Sequence, residues 1–173
     1  MIFRFSKRPD VLAVILIALL FGGCGGRAGF GNKDLSMPVL VSYGAFSGPT
    51  SGYGLPQVTL LLGTGRLVAE IASTPIQASV GLSFRDTLAS DHAMLFTYPE
   101  PHKVVFHMKD TSIPLSVAFI DSMGTVLEVQ NLVPGSTSPI HSASNAIRFV
   151  LEVNRGWFEK YGVIVGSRVS AEP

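Results

Sequence analysis

The chain has 173 residues with 13 Lys and Arg against 12 Asp and Glu. This balance leaves no basic surplus to attract nucleic acid or anionic lipid heads. A single cysteine among 173 residues excludes an intrachain disulfide, so the core must be stabilised by apolar burial.

The N-terminus comes first in chain order. Arg4, Lys7 and Arg8 precede an apolar run over residues 11–21, followed by Gly22, Gly23 and Cys24. A basic start, an apolar middle and a small-residue end make the layout of a secretory signal. The apolar run is about ten residues long, half of the ~20 that span a bilayer, so a removable leader over residues 1–23 is expected. Leu20-Phe21-Gly22-Gly23-Cys24 resembles a bacterial lipobox, with Phe21 where Leu is usual. The resemblance implies that the Cys24 thiol is acylated and becomes the mature N-terminus, a durable anchor. Gly25 follows Cys24 in place of the Asp that retains lipoproteins at the inner membrane, which favours the outer membrane in a didermic cell. The expected localisation is therefore exported and lipid-anchored in the cell envelope. The leader takes three basic residues and one acid, so the mature chain carries a net charge of −1. Its partners are the membrane and a small polar ligand or envelope protein, with no nucleic acid.

Residues 24–57 are rich in Gly, Ser and Pro and have little apolar surface to offset the entropy of ordering them. They are expected to form a tether. Residues 37–43, Met-Pro-Val-Leu-Val-Ser-Tyr, are the exception and could add an edge strand or dock on the domain, while Pro38 argues against a central strand.

The folded domain is expected over residues 58–171. Residues 58–62 and 67–71 flank Gly63-Thr64-Gly65 as a hairpin. Thr74, Pro75 and Gln77 form a capping box with Pro at the first helical position, so a short helix should run to Val80 and stop at Gly81. Residues 84–88 suit a further helical turn. Strands are expected over 94–97, 104–108 and 115–120. The last turns through Asp121-Ser122-Met123-Gly124 into a partner strand over 125–131, with one wet face. Residues 134–144 should be a loop and 147–153 a strand. Asn154 should cap a last helix containing Trp157, Phe158 and Tyr161, the first two as core residues. A strand or turn closes the chain over 163–169. Many short strands with turns between them and two or three short helices point to a mainly β domain, a sandwich or jelly-roll-like barrel.

Six blocks then carry a family resemblance. They are Val68-Ala69-Glu70-Ile71-Ala72-Ser73-Thr74, Gly81-Leu82-Ser83-Phe84-Arg85, Ala93-Met94-Leu95-Phe96, Phe106-His107-Met108-Lys109-Asp110-Thr111, Ile113-Pro114-Leu115-Ser116 and Leu151-Glu152-Val153-Asn154-Arg155-Gly156. In order and spacing they resemble the DUF192 family, a domain of unknown function. The resemblance implies a compact β-rich domain, often secreted or membrane-anchored, with no established activity and no catalytic residue to transfer. His107 stands where the family has Trp, Asp110 where it has Asn, Ser116 where it has Asp and Ser83 where it has Met. A ligand site in that block would therefore differ from the family's.

Site chemistry is sparse. His92, His102, His107 and His141 form no H-x-H or H-x-x-x-H pair, so no metal site is expected. Ser112, Ser116 and Ser142 lie outside any Gly-x-Ser-x-Gly elbow. No catalytic residue and no cofactor are assigned, and no Gly-Lys-Ser/Thr phosphate loop occurs. The strongest cluster is Arg85, His107, Lys109 and Asp110, with Asp121 nearby in the pattern. Alternation places His107 and Lys109 on one face and Phe106, Met108 and Asp110 on the other. Arg85 offers a planar fork for carboxylate or phosphate, which suits a small anionic or polyhydroxylated ligand. The structural alternative pairs Arg85 with Asp86, Asp121 or Glu152. Glu70 and Glu152 interrupt apolar strands, and each should meet an Arg or face water. The function expected is a non-enzymatic binding or structural module, with an envelope enzyme around Arg85, His107 and Asp110 as the alternative.

Overall fold

The computed structural model describes residues 49–172. The leader, Cys24, most of the tether and the strand expected over 37–43 lie outside these residues. Nine strands and two helices follow one another: β1 (Gln57–Leu62), β2 (Gly65–Ala72), α1 (Pro75–Val80), β3 (His92–His102), β4 (Val105–Phe106), β5 (Leu115–Ile120), β6 (Val126–Asn131), β7 (Ile140–His141), β8 (Ile147–Asn154), α2 (Trp157–Lys160) and β9 (Val169–Ala171). The domain is mainly β, as expected.

Seven strands form one sheet in the order β6-β5-β8-β3-β2-β1-β9, and β4 pairs with β7 separately. Only β2 and β3 run parallel, because the connection through α1 is long enough to cross over. The large sheet curls into a half-barrel. Its two edges meet at one end, where Val126 N–H donates to the Ser167 carbonyl and Val169 N–H to that of Gly124, both at 2.9 Å. Of the two architectures expected, the barrel describes the chain.

Both faces of the central strands are buried, which explains why all six residues of β5 are buried. The inner face gathers Leu60, Leu67, Leu95, Ala118, Phe149 and Leu151 with Trp157 and Phe158 of α2. The other face carries Met94, Phe96, Val117, Phe119 and Val150, covered by Leu82, Met108 and Ile113 from the connecting segments. This second layer, between the sheet and its cover, holds the site described below.

Local chemistry accounts for several elements. Gly63 and Thr64 close the β1–β2 hairpin, with Gly63 at φ 60°. A Cβ on Gly63 would lie 2.2 Å from the Tyr161 carbonyl oxygen, so the turn and α2 approach as closely as they do only because no side chain intervenes. At the β5–β6 turn the Asp121 carboxylate accepts from Met123 and Thr125 N–H, both at 2.8 Å, and Gly124 takes φ 80°.

Several elements differ from expectation. The strand expected over 104–108 shrinks to two residues. Its partner β7 lies inside the stretch expected to be all loop. The helical turn expected at 84–88 is absent, because Phe84 adopts φ 63°, which cannot propagate a right-handed helix. Asn154 does not cap α2: its amide donates to the Leu88 and Ala89 carbonyls at 2.9 and 3.0 Å, and Gly156 at φ 86° takes the N-cap position. The final strand is later than expected, at Val169–Ala171. Finally, residues 49–56 of the expected tether contact the domain. Gln57 N–H donates to the Pro49 carbonyl at 2.9 Å, Ile71 N–H to that of Pro56 at 2.8 Å, and the Tyr53 ring lies 3.8 Å from the Arg85 guanidinium carbon.

Candidate functional site

A cleft of 410 Å³ opens between the sheet and its cover. Adjacent strands β3 and β8 supply its floor, with Phe96 and Tyr98 from one and Val150 and Glu152 from the other. The C-terminal half of α1 and the turn through Ser83 form one wall, and residues 105–108 with Thr111 form the opposite one. The capping box expected at Thr74 sets the first wall. Thr74 Oγ1 accepts from Gln77 N–H at 3.2 Å, and Gln77 Oε1 accepts from Thr74 N–H at 3.0 Å. The helix then stops at Gly81, where a Cβ would come within 3.3 Å of the Phe96 ring. The cleft has the size of a small-molecule site and the usual mix of apolar walls and few polar groups.

Glu152 is the unusual group in it. The residue is 6 % exposed, and no hydrogen bond from the described residues reaches its carboxyl. Burial pushes its pKa up to about 7. Tyr98, half-buried beside it, is pushed up to about 12, first by burial and then by the neighbouring Glu152 charge. A carboxyl taken out of water without a partner is costly. Near neutrality it can hold a proton and donate, or lose it and attract a cation. Glu152 meets no arginine; of the two outcomes expected for it, its carboxyl opens on the cleft.

The available arginine goes to Glu70. Arg85 donates through both terminal nitrogens to the two Glu70 oxygens at 2.8 and 2.7 Å, and both residues are buried. The register explains the choice facing the sheet. Glu70 and Glu152 both pair with Met94, from its two sides, so both carboxyls project to the same face. Arg85 is thus part of a closed ion pair and lies outside the cleft lining; its partner is none of Asp86, Asp121 and Glu152.

The other sequence candidates separate. His107 lines the cleft, exposed at its edge, and its Nδ1 accepts from Lys109 N–H at 3.3 Å. Lys109 is exposed and points away from the lining. Its backbone carbonyl accepts from Ser83 and Thr111 hydroxyls, each at 3.5 Å. Asp110 is exposed at φ 58°, and its carbonyl accepts from Phe84 N–H at 2.8 Å. The expected alternation holds from Phe106 to Lys109 and fails at Asp110, where the chain turns into left-handed backbone. Asp121 serves its own turn. The serines singled out earlier are engaged elsewhere: Ser116 with Asn131 at 2.6 Å, Ser142 with the Ser144 carbonyl at 2.8 Å, and Ser112 with the Arg85 carbonyl at 3.5 Å. Of the four proposed ligand residues, the cleft contains His107 alone. Phe96 and Tyr98 were missed, and Glu152 was noticed only as a strand interruption.

Comparison with known proteins gives a consistent assignment. Residues 59–171 match DUF192, described as an uncharacterized ACR. A crystal structure from Sinorhizobium meliloti 1021, described as a candidate transcription regulator, is 35 % identical with a TM-score of 0.65, over 68 % of this chain and 95 % of that one. A protein of unknown function from Novosphingobium aromaticivorans DSM 12444 is 30 % identical with a TM-score of 0.65, over 75 % of this chain and 95 % of that one. No curated protein matches.

Proposed function

The chain belongs to the DUF192 family, and on that footing we propose that it is a small-ligand binding module moored to the cell envelope through an acylated Cys24. The observation that carries the binding reading is the cleft with the largely buried Glu152 at its floor, its carboxyl open to the cleft and reached by no hydrogen bond from the described residues. A protein keeps such a group when something else satisfies it, because leaving it bare costs stability. Binding is favoured over catalysis by the arrangement of the neighbouring hydroxyls. The Ser83 and Thr111 hydroxyls meet each other at 3.4 Å and the Lys109 carbonyl at 3.5 Å, and neither makes a hydrogen bond to His107 or Glu152 of the kind that activates a nucleophile. The regulator description of the Sinorhizobium protein is not adopted, since a net charge of −1 after leader removal gives no basic field for DNA.

The mooring rests on the leader and on Leu20-Phe21-Gly22-Gly23-Cys24. Two measurements test the proposal. Thermal-shift screening of the full chain against a small-metabolite library should find compounds that raise its melting temperature and lose that effect in Glu152→Gln. A library without a single such compound defeats the binding reading. Wild-type chain should fractionate with membranes and carry an acyl mass increment at Cys24, whereas Cys24→Ala should be released. Continued membrane fractionation of Cys24→Ala defeats the mooring.

A further inference from the structure

We infer that the cleft is selective for a small organic cation, a protonated amine on an apolar or aromatic body, with Glu152 as its counter-ion. The inference deepens the binding reading and rests on it. Among the described residues the lining contains no lysine or arginine, and Arg85 is closed off by Glu70. An anionic ligand would enter against the Glu152 charge with no lysine or arginine to offset it. Three aromatic rings, Phe96, Tyr98 and Phe106, line the same space, and the negative faces of such rings attract a cation. Exposed Val80 and Val105 at the edge suit an apolar body. A neutral hydroxyl would also bond to Glu152, but an ammonium–carboxylate hydrogen bond is roughly twice as strong as a neutral one.

Binding a protonated amine must then ionise Glu152. Since its carboxyl is pushed up to about 7 in the free protein, amine binding below that pH releases a proton. Affinity should fall toward tenfold per pH unit as the pH drops below about 7. The titratable groups facing Glu152 are Tyr98 from β3 and His107 from the segment after β4. The Glu70–Arg85 pair is the next charge along the sheet, beyond Met94.

The test is calorimetric titration of the full chain with three probes of similar shape: 2-phenylethylamine, 2-phenylethanol and 3-phenylpropionate. The amine should bind, the alcohol about tenfold more weakly, and the carboxylate not at all. Glu152→Gln should bring the amine down to the alcohol and remove the pH dependence, while His107→Ala should keep it. Equal or tighter binding of the alcohol or the carboxylate overturns the cation inference and leaves the binding reading standing. A pH dependence that vanishes in His107→Ala and persists in Glu152→Gln also overturns it. If no probe binds at millimolar concentration, the cation inference falls, and the library screen decides the binding reading. The probe series needs no variant, so it decides even if Glu152→Gln fails to fold.

Discussion

Glu70 and Glu152 stand opposite the same Met94 in neighbouring strands, and Arg85 pairs with the first of them. Their fates differ because Arg85 sits in the segment after α1, on the Glu70 side. For the pair, removing one partner leaves a buried charge uncompensated. Arg85→Ala is expected to destabilise the domain by about 3–5 kcal/mol, measured by urea unfolding, and Glu70→Leu combined with Arg85→Met should recover most of the loss. For Glu152 the sign runs with pH. Its carboxyl has a pKa of about 7 folded against an ordinary 4.5, so the folded state holds the proton more tightly. Its contribution is fully present below about pH 4.5 and is lost as the pH rises through 7. Unfolding free energies of wild type and Glu152→Gln, compared at pH 4.5 and 8, should diverge by about 3 kcal/mol, with the wild type losing ground at the higher pH. Sequence reading recognised both acids as interruptions of apolar strands. It could not divide Arg85 between them, because that choice depends on strand order, and sequence spacing is silent on it. The same limit hid Phe96 and Tyr98, which look like ordinary core aromatics until β3 is laid beside β8.

At the scale of elements, legibility follows how local the determining chemistry is. The α1 helix has the bounds its Thr-Pro-Ile-Gln start and glycine stop foretell, because every group that ends it lies within a few residues. Strand β7 was not separable from loop and the strand containing β4 was drawn too long, since two residues carry no period and the two exist only because they meet each other. Asn154 looks like a helix cap by type, yet a tertiary pair of carbonyls at Leu88 and Ala89 claims its amide. The capping box on α1 can be weighed directly. Thr74→Ala removes the oxygen that accepts from Gln77 N–H and should cost about 1 kcal/mol, a fall in melting temperature of roughly 2–4 °C for a domain of this size. Because α1 is one wall of the cleft, amide exchange should accelerate in residues 75–81 and leave β5 and β8 unchanged. Uniform acceleration would mean that the helix is not an independently held wall.

Across the whole molecule, the curl of the large sheet brings the ends of β6 and β9 together, closing much of the exposed edge that a flat sheet would leave. Composition and turn spacing foretold a β-rich domain; the closure depends on bonds between residues some forty positions apart, which no local pattern displays. The same holds for residues 49–56, whose glycines and serines suggested a free tether. They are instead the N-terminal fastening of the sheet. Pro56 provides the carbonyl for Ile71 N–H in the buried strand β2, Pro49 provides that for Gln57, and Tyr53 covers the Arg85 guanidinium. A chain starting at Val58 would leave the Ile71 donor unpaired and uncover the ion pair. An unsatisfied buried donor costs about 1–3 kcal/mol, and the exposed Tyr53 ring over the buried Arg85 guanidinium contributes about 0.5–1 kcal/mol. The chain starting at Val58 should therefore be less stable than one starting at Pro49 by roughly 2–3 kcal/mol in urea unfolding. Tyr53→Ala in the longer chain should reproduce only the smaller part of that loss. Equal stability of the two chains would show that the segment merely lies against the domain, and the domain boundary would then move back to Val58.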